Sequence, residues 1–109
     1  MADEWHDVLA EDDLDPELPE PVRAAGRAIA LFVVNDRIYA MDCYCSHMRA
    51  RLTDGYVEGD TVECPLHQSR FHIPTGRVLS SPATRDIRTF ETRVEAGRIL
   101  VRVPARRSA

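Results

Sequence analysis

Apolar residues fall along this chain in short blocks of strand length, with polar turn signals between them. Residues 28–34 (Ala-Ile-Ala-Leu-Phe-Val-Val) form an unbroken apolar run, the pattern of a strand covered on both faces. Asn35-Asp36 is a turn signal, and Arg37-Ile38-Tyr39-Ala40-Met41 returns from it, which predicts a hairpin. Residues 89–95 and 98–103 flank Ala96-Gly97 as a second hairpin, with Ile99, Val101 and Val103 on one face and Arg98 and Arg102 on the other. A third pair, Tyr56-Val57-Glu58 and Thr61-Val62-Glu63, surrounds Gly59-Asp60. Period two breaks between Ile87 and Phe90, which predicts a bulge or twist there. No segment carries a helical repeat. Residues 14–27 hold three prolines among acids and small residues, and read as loop with a short strand at Val22-Arg23. Residues 106–109 read as a frayed tail. There is neither internal repeat nor linker, so residues 1–109 are expected to form a single all-β domain.

Composition narrows the function. The 109 residues suit one core, and 44% of them are apolar. The net charge is −4 and the pI about 5.5, which argues against nucleic acid as a partner, because phosphate binding needs a basic face. No apolar stretch approaches the ~18–20 residues that span a bilayer. The first residues carry Asp3, Glu4 and Asp7 where an export signal needs positive charge, so the expected compartment is the cytoplasm. Three cysteines in that reducing setting suggest metal or redox chemistry rather than a disulfide framework.

The chemistry is concentrated in two short motifs, Cys45-Ser46-His47 and Cys64-Pro65-Leu66-His67, with sixteen residues between them. Each places a thiolate and an imidazole on a tight loop presented by a hairpin. Together Cys45, His47, Cys64 and His67 complete a metal-binding set. The electronic logic favours a [2Fe–2S] cluster, one per chain. Two ferric ions, two sulfides and two thiolates sum to a charge of about zero when neutral imidazoles complete the set, so adding an electron is easier than in an all-cysteine cluster. Cys45 and Cys64 would hold the inner iron, and His47 and His67 the outer one near the surface. Structural zinc uses the same ligand types. Cys43 leaves a second alternative open, since Cys43-Tyr44-Cys45 offers another thiolate for a zinc set with Cys64 and His67; otherwise it is a small, partly buried strand-end side chain. His72 reads as a solvent-facing strand residue, and His6 as unrelated to the metal.

With these motifs in place, the sequence resembles the Rieske ferredoxins of bacterial multicomponent aromatic-ring-hydroxylating dioxygenases. The resemblance runs over residues 5–103 and is densest in Cys45-Ser46-His47, Leu52-Thr53-Asp54-Gly55, Cys64-Pro65-Leu66-His67-Gln68 and Thr75-Gly76-Arg77-Val78-Leu79. It implies a Rieske fold of three antiparallel sheets, with a small cluster-binding subdomain over about residues 43–84. It also implies a monomeric one-electron carrier that meets two partners transiently, a flavin-containing NAD(P)H reductase and a terminal oxygenase. A third, proline-containing loop shields the cluster in that family, and Ser81-Pro82-Ala83 is similar to it. Respiratory Rieske proteins carry an extra disulfide between the two cluster loops, but Ala50 and Leu66 stand at those positions. Ser69 occupies the place of their cluster-tuning serine and Phe71 that of their tyrosine. The expected potential is therefore in the low part of the Rieske range of roughly −150 to +300 mV, higher if the Ser69 hydroxyl reaches a sulfur.

Two other functions compete with an electron carrier. An oxygenase would need a second metal set, such as two His and a carboxylate, and only His6 and His72 are spare; no enzymatic role is expected. A fixed Rieske-like subunit, as in nitrite reductase, is the alternative to a free carrier. Phe71 reads as a core residue and Trp5 as a core anchor in an early strand. The first twenty residues hold half of the chain's acids and no Arg, a stretch that is either solvated surface or a docking face for a basic partner.

Overall fold

The computed structural model describes residues 3–45, 50–66 and 68–104. Ten strands follow one another: β1 (Asp3–Ala10), β2 (Glu20–Ala24), β3 (Arg27–Val34), β4 (Arg37–Asp42), β5 (Tyr56–Glu58), β6 (Thr61–Glu63), β7 (Arg70–His72), β8 (Thr89–Phe90), β9 (Thr92–Glu95) and β10 (Arg98–Pro104). Single 3-10 turns at Glu11–Asp13 and Leu52–Asp54 are the helical elements among the described residues. The strands build three sheets, in the orders β1-β10-β9, β2-β3-β4-β8 and β5-β6-β7, and every pairing is antiparallel. This is the expected all-β architecture.

The unbroken apolar run of β3 has a topological cause. Side chains alternate across a strand, and here the two faces serve two cores. Ala30, Phe32 and Val34 point into one, with Met41, Cys43, Cys45, Leu52, Val62, Cys64, Phe71 and Ile73. Ile29 and Leu31 point into the other, with Ala40, Phe90 and the inward face of β10, Ile99, Val101 and Val103. Cross-strand pairs keep the division: Ala30 lies opposite Met41, and Leu31 opposite Ala40.

Three hairpins turn through consecutive left-handed residues, Ala25-Gly26, Asn35-Asp36 and Ala96-Gly97, the conformation whose twist matches that of paired strands. The Asn-Asp pair tolerates it because short polar side chains hydrogen-bond locally.

Several elements depart from expectation. The break near the last hairpin falls at Glu91 rather than between residues 87 and 90, because the chain changes sheets there: Thr89 and Phe90 pair with Met41 and Ala40, while Thr92 pairs with Val101. The crossing is pinned where Thr92 Oγ1 donates to the Ile38 carbonyl at 2.7 Å. The register shift lies instead in β1, between Asp7 and Leu9. Trp5 is a flank residue, not a core anchor; it is half-buried, and the Arg93 guanidinium lies 4.5 Å from its ring centroid. The strand expected at Val22-Arg23 extends over Glu20–Ala24, and Pro21 is accommodated because β2 is an edge strand. Residues 106–109, expected as a tail, lie outside the described residues. No helix among the described residues is long and apolar enough to cross a membrane.

Candidate metal centre

The site begins where β4 runs on into Met41, Cys43 and Cys45. Period-two spacing puts these three residues on one face, and all are buried, at 0%, 1% and 6% exposure. Tyr44 between them points out, and it forms a bridge with Arg51. The returning chain closes this first loop: Cys45 N–H donates to the Ala50 carbonyl at 2.9 Å, and Leu52 N–H to the Cys43 carbonyl at 2.6 Å. Gly55 then lets the chain approach β6 closely, since a Cβ there would run into the Glu63 carbonyl.

The second loop starts at the end of β6. Cys64 follows Val62 on the inward face, and its N–H donates to the Ser69 carbonyl at 2.8 Å, bracketing residues 65–68. Inward alternation continues on the far side through Ser69, Phe71 and Ile73, all fully buried. Phe71 thus has the core role expected of it, opposite Val62.

The two loops bring Cys45 and Cys64 together. Their side chains are within hydrogen-bonding reach of each other, and the Leu66 backbone N–H donates to the Cys64 sulfur. Burial pushes the Cys64 thiol above its ordinary pKa; the Leu66 N–H opposes this by favouring the thiolate, and the neighbouring Cys45 raises it further. Both cysteines are free. Two adjacent sulfurs at the end of an apolar core, with an N–H already aimed at one, suit a thiolate-binding metal group. The positive charge of a metal offsets the penalty that burial places on a thiolate.

Cys43 points into the same core but toward a different neighbour, with its sulfur 3.7 Å from Thr53 Oγ1. His47 and His67 lie outside the described residues. Among the described residues no three His, Cys, Asp or Glu side chains gather as a metal site. His6 and His72 are elsewhere. His72 is less exposed than expected, and both ring nitrogens are engaged, Nε2 with Asp60 Oδ2 at 2.9 Å and Nδ1 with Thr75 Oγ1 at 2.8 Å.

Of the proline-containing residues 81–83, Ala83 alone enters the core. Ser81 and Pro82 are exposed, whereas Ala83 is buried in the core that holds Cys45 and Cys64. Its N–H donates to Ser69 Oγ at 2.9 Å. The sequence marks Ser69 by its position beside the second cysteine motif; its link to Ala83, fourteen residues away, leaves no local signal. A groove of about 770 Å³ runs along β4, β8 and β9, but no cysteine lines it.

Comparison with known proteins agrees with this geometry. The family model of the Rieske [2Fe-2S] domain matches residues 4–91. The ferredoxin component of the naphthalene 1,2-dioxygenase/salicylate 5-hydroxylase systems of a Ralstonia species is 40% identical over 103 residues, covering 94% of this chain and 99% of that protein. The structure of a ferredoxin from Sphingomonas yanoikuyae B1 superposes with a TM-score of 0.86 at 28% identity, covering 93% of this chain and 100% of that one. A chain from the complex of reduced oxygenase and oxidized ferredoxin in carbazole 1,9a-dioxygenase superposes with a TM-score of 0.85 at 33% identity, covering 95% and 97%.

Proposed function

This chain belongs to the Rieske [2Fe-2S] family, and on that premise we propose that it carries single electrons to the terminal oxygenase of an aromatic-ring-hydroxylating dioxygenase system. The observation that carries the reading is the pair of buried, facing thiols of Cys45 and Cys64, in a chain that matches a dioxygenase ferredoxin component almost end to end.

In this reading Cys45, His47, Cys64 and His67 would together hold the cluster, and residues 43–84 would form the cluster-binding part of one domain. When bound, the cluster supplies a one-electron couple at a potential above that of all-cysteine clusters. The chain's own residues determine its setting. Phe71, Leu52 and Val62 exclude water behind the sulfurs, and the Leu66 N–H steadies negative charge on the Cys64 sulfur. Leu66 itself, two residues after Cys64, is 51% exposed, so an apolar side chain on the cysteine loop faces a transient partner. Electrons arrive from a flavin-containing NAD(P)H reductase. The carrier works as a cytoplasmic monomer and transforms no substrate. Coverage of nearly the whole of a ferredoxin relative supports a separate carrier over a fixed subunit.

The test is reconstitution. Iron-loaded protein is added to the reductase and oxygenase of an aromatic dioxygenase system, and hydroxylated product is expected only when this chain is present. Loaded protein that accepts electrons but supports no such oxygenase would overturn the assignment of partner.

A further inference from the structure

Among the described residues, Ser69 is the one polar side chain buried completely. Burying a hydroxyl in an apolar core is unfavourable unless it satisfies a partner, so its bonds show what it is for. Its carbonyl accepts the Cys64 N–H at 2.8 Å, and its Oγ accepts the Ala83 N–H at 2.9 Å. One residue thus joins the cysteine hairpin to the loop that packs beside it. Other bonds lace the same two segments: Leu79 N–H to the Arg70 carbonyl at 2.8 Å, Arg70 N–H to Ser80 Oγ at 3.1 Å, and the bridge between Phe71 and Val78. These hold the near end of the loop. Ser69 holds the far end, where Ala83 enters the core that contains both sulfurs.

We propose that Ser69 is a positioning residue whose hydroxyl anchors Ala83 and so keeps this end of the loop packed into the Cys45–Cys64 core, shielding the metal group from water and from solutes. The proposal rests on the reading of those cysteines as cluster ligands. Without Oγ, the Ala83 N–H becomes a buried donor lacking this acceptor. That is unfavourable enough to shift a local opening equilibrium by about tenfold or more. Opening at this place exposes the sulfurs without unfolding the sheets.

The experiment is amide hydrogen exchange on the iron-loaded protein, resolved at Ala83, paired with the rate of colour loss when EDTA is added. In the unsubstituted protein the Ala83 amide is expected to be protected about a hundredfold or more over an unstructured peptide. Ser69→Ala is expected to lose about tenfold or more of that protection and to bleach faster by a similar factor, with amides of β3 unchanged. Ser80→Ala is the matched control: it removes the acceptor that the same loop offers to the Arg70 amide of β7 and should leave both Ala83 exchange and bleaching as they were. An unprotected Ala83 in the unsubstituted, iron-loaded protein overturns the anchor by itself, whether or not the variant folds. So does a Ser69→Ala protein that keeps its protection and its bleaching rate. A chain that takes up no iron overturns the ligand reading and the shielding role together.

Discussion

Ile29 and Ala30 are consecutive and both wholly buried, yet they lie in different cores: Ile29 packs with Leu31 and the inward face of β10, Ala30 with Phe32, Met41 and the cysteines. Strand β3 is the partition between the half of the molecule that holds the sheets together and the half that holds the sulfurs. Damage on one side should therefore be separable from damage on the other.

Ile29→Ala should destabilise the protein by about 2–5 kcal/mol through the cavity it leaves, while the cluster absorbance of the folded protein stays unchanged. Phe71→Ala, on the other side and directly opposite Val62, should cost about 3–5 kcal/mol and also hasten iron loss. Denaturant titration with a parallel iron assay measures both. Equal iron loss from the two variants would contradict the partition.

Gly76 sits at φ +73°, and a Cβ there would strike the Ile87 carbonyl, whereas Gly59, at φ +61°, faces open space. Gly59→Ala should cost about 1 kcal/mol, the strain of a left-handed alanine. Gly76→Ala adds a collision with backbone that cannot move aside, and it should cost about 3 kcal/mol or more. Midpoints of thermal or denaturant unfolding give the ranking; a milder Gly76 variant would contradict it.

Strands that form a hairpin with their own neighbour and bury one face or both were legible in the sequence, as were the two cysteine loops. What stayed hidden has a physical reason in each case. β1 is an edge strand whose alternation is broken between Asp7 and Leu9, so beyond Trp5 no period-two signal marks it. The switch at Glu91 depends on which sheets compete for residues 89–95, a matter of tertiary pairing. Ser69 was recognisable as unusual, but its bond to Ala83 closes across a loop and has no local pattern.

Cys43 and Cys45 differ in role although both are buried. Cys43→Ser should keep full iron content, with a stability loss of about 1–3 kcal/mol from burying a hydroxyl, lessened by Thr53 Oγ1 beside it. Cys45→Ser and Cys64→Ser should each abolish cluster binding, because the thiolate is the ligand. Iron and acid-labile sulfide assays of the purified variants decide it. Iron loss from the Cys43 variant alone would mean that the ligand register is wrong.

The acidic N-terminal stretch is only partly neutralised within the chain. Asp7 pairs with Arg98 at 2.8 Å, but Glu11, Asp12 and Asp13 stand exposed in the 3-10 turn. If they steer a basic partner, the rate of reduction by the reductase should fall several-fold as salt rises from about 0.05 to about 0.5 M. Stopped-flow rates that do not vary with salt would assign these acids to solvation alone.

The most direct measurement is an anaerobic reductive titration of the iron-loaded protein, followed by absorbance and electron paramagnetic resonance, with iron, sulfide and zinc assayed on the same sample. A Rieske cluster held by Cys45, His47, Cys64 and His67 predicts a coloured protein with about two irons and two sulfides per chain. It takes up one electron as the colour bleaches and a paramagnetic signal appears. A colourless protein that holds zinc, or iron that accepts no electron, would contradict it.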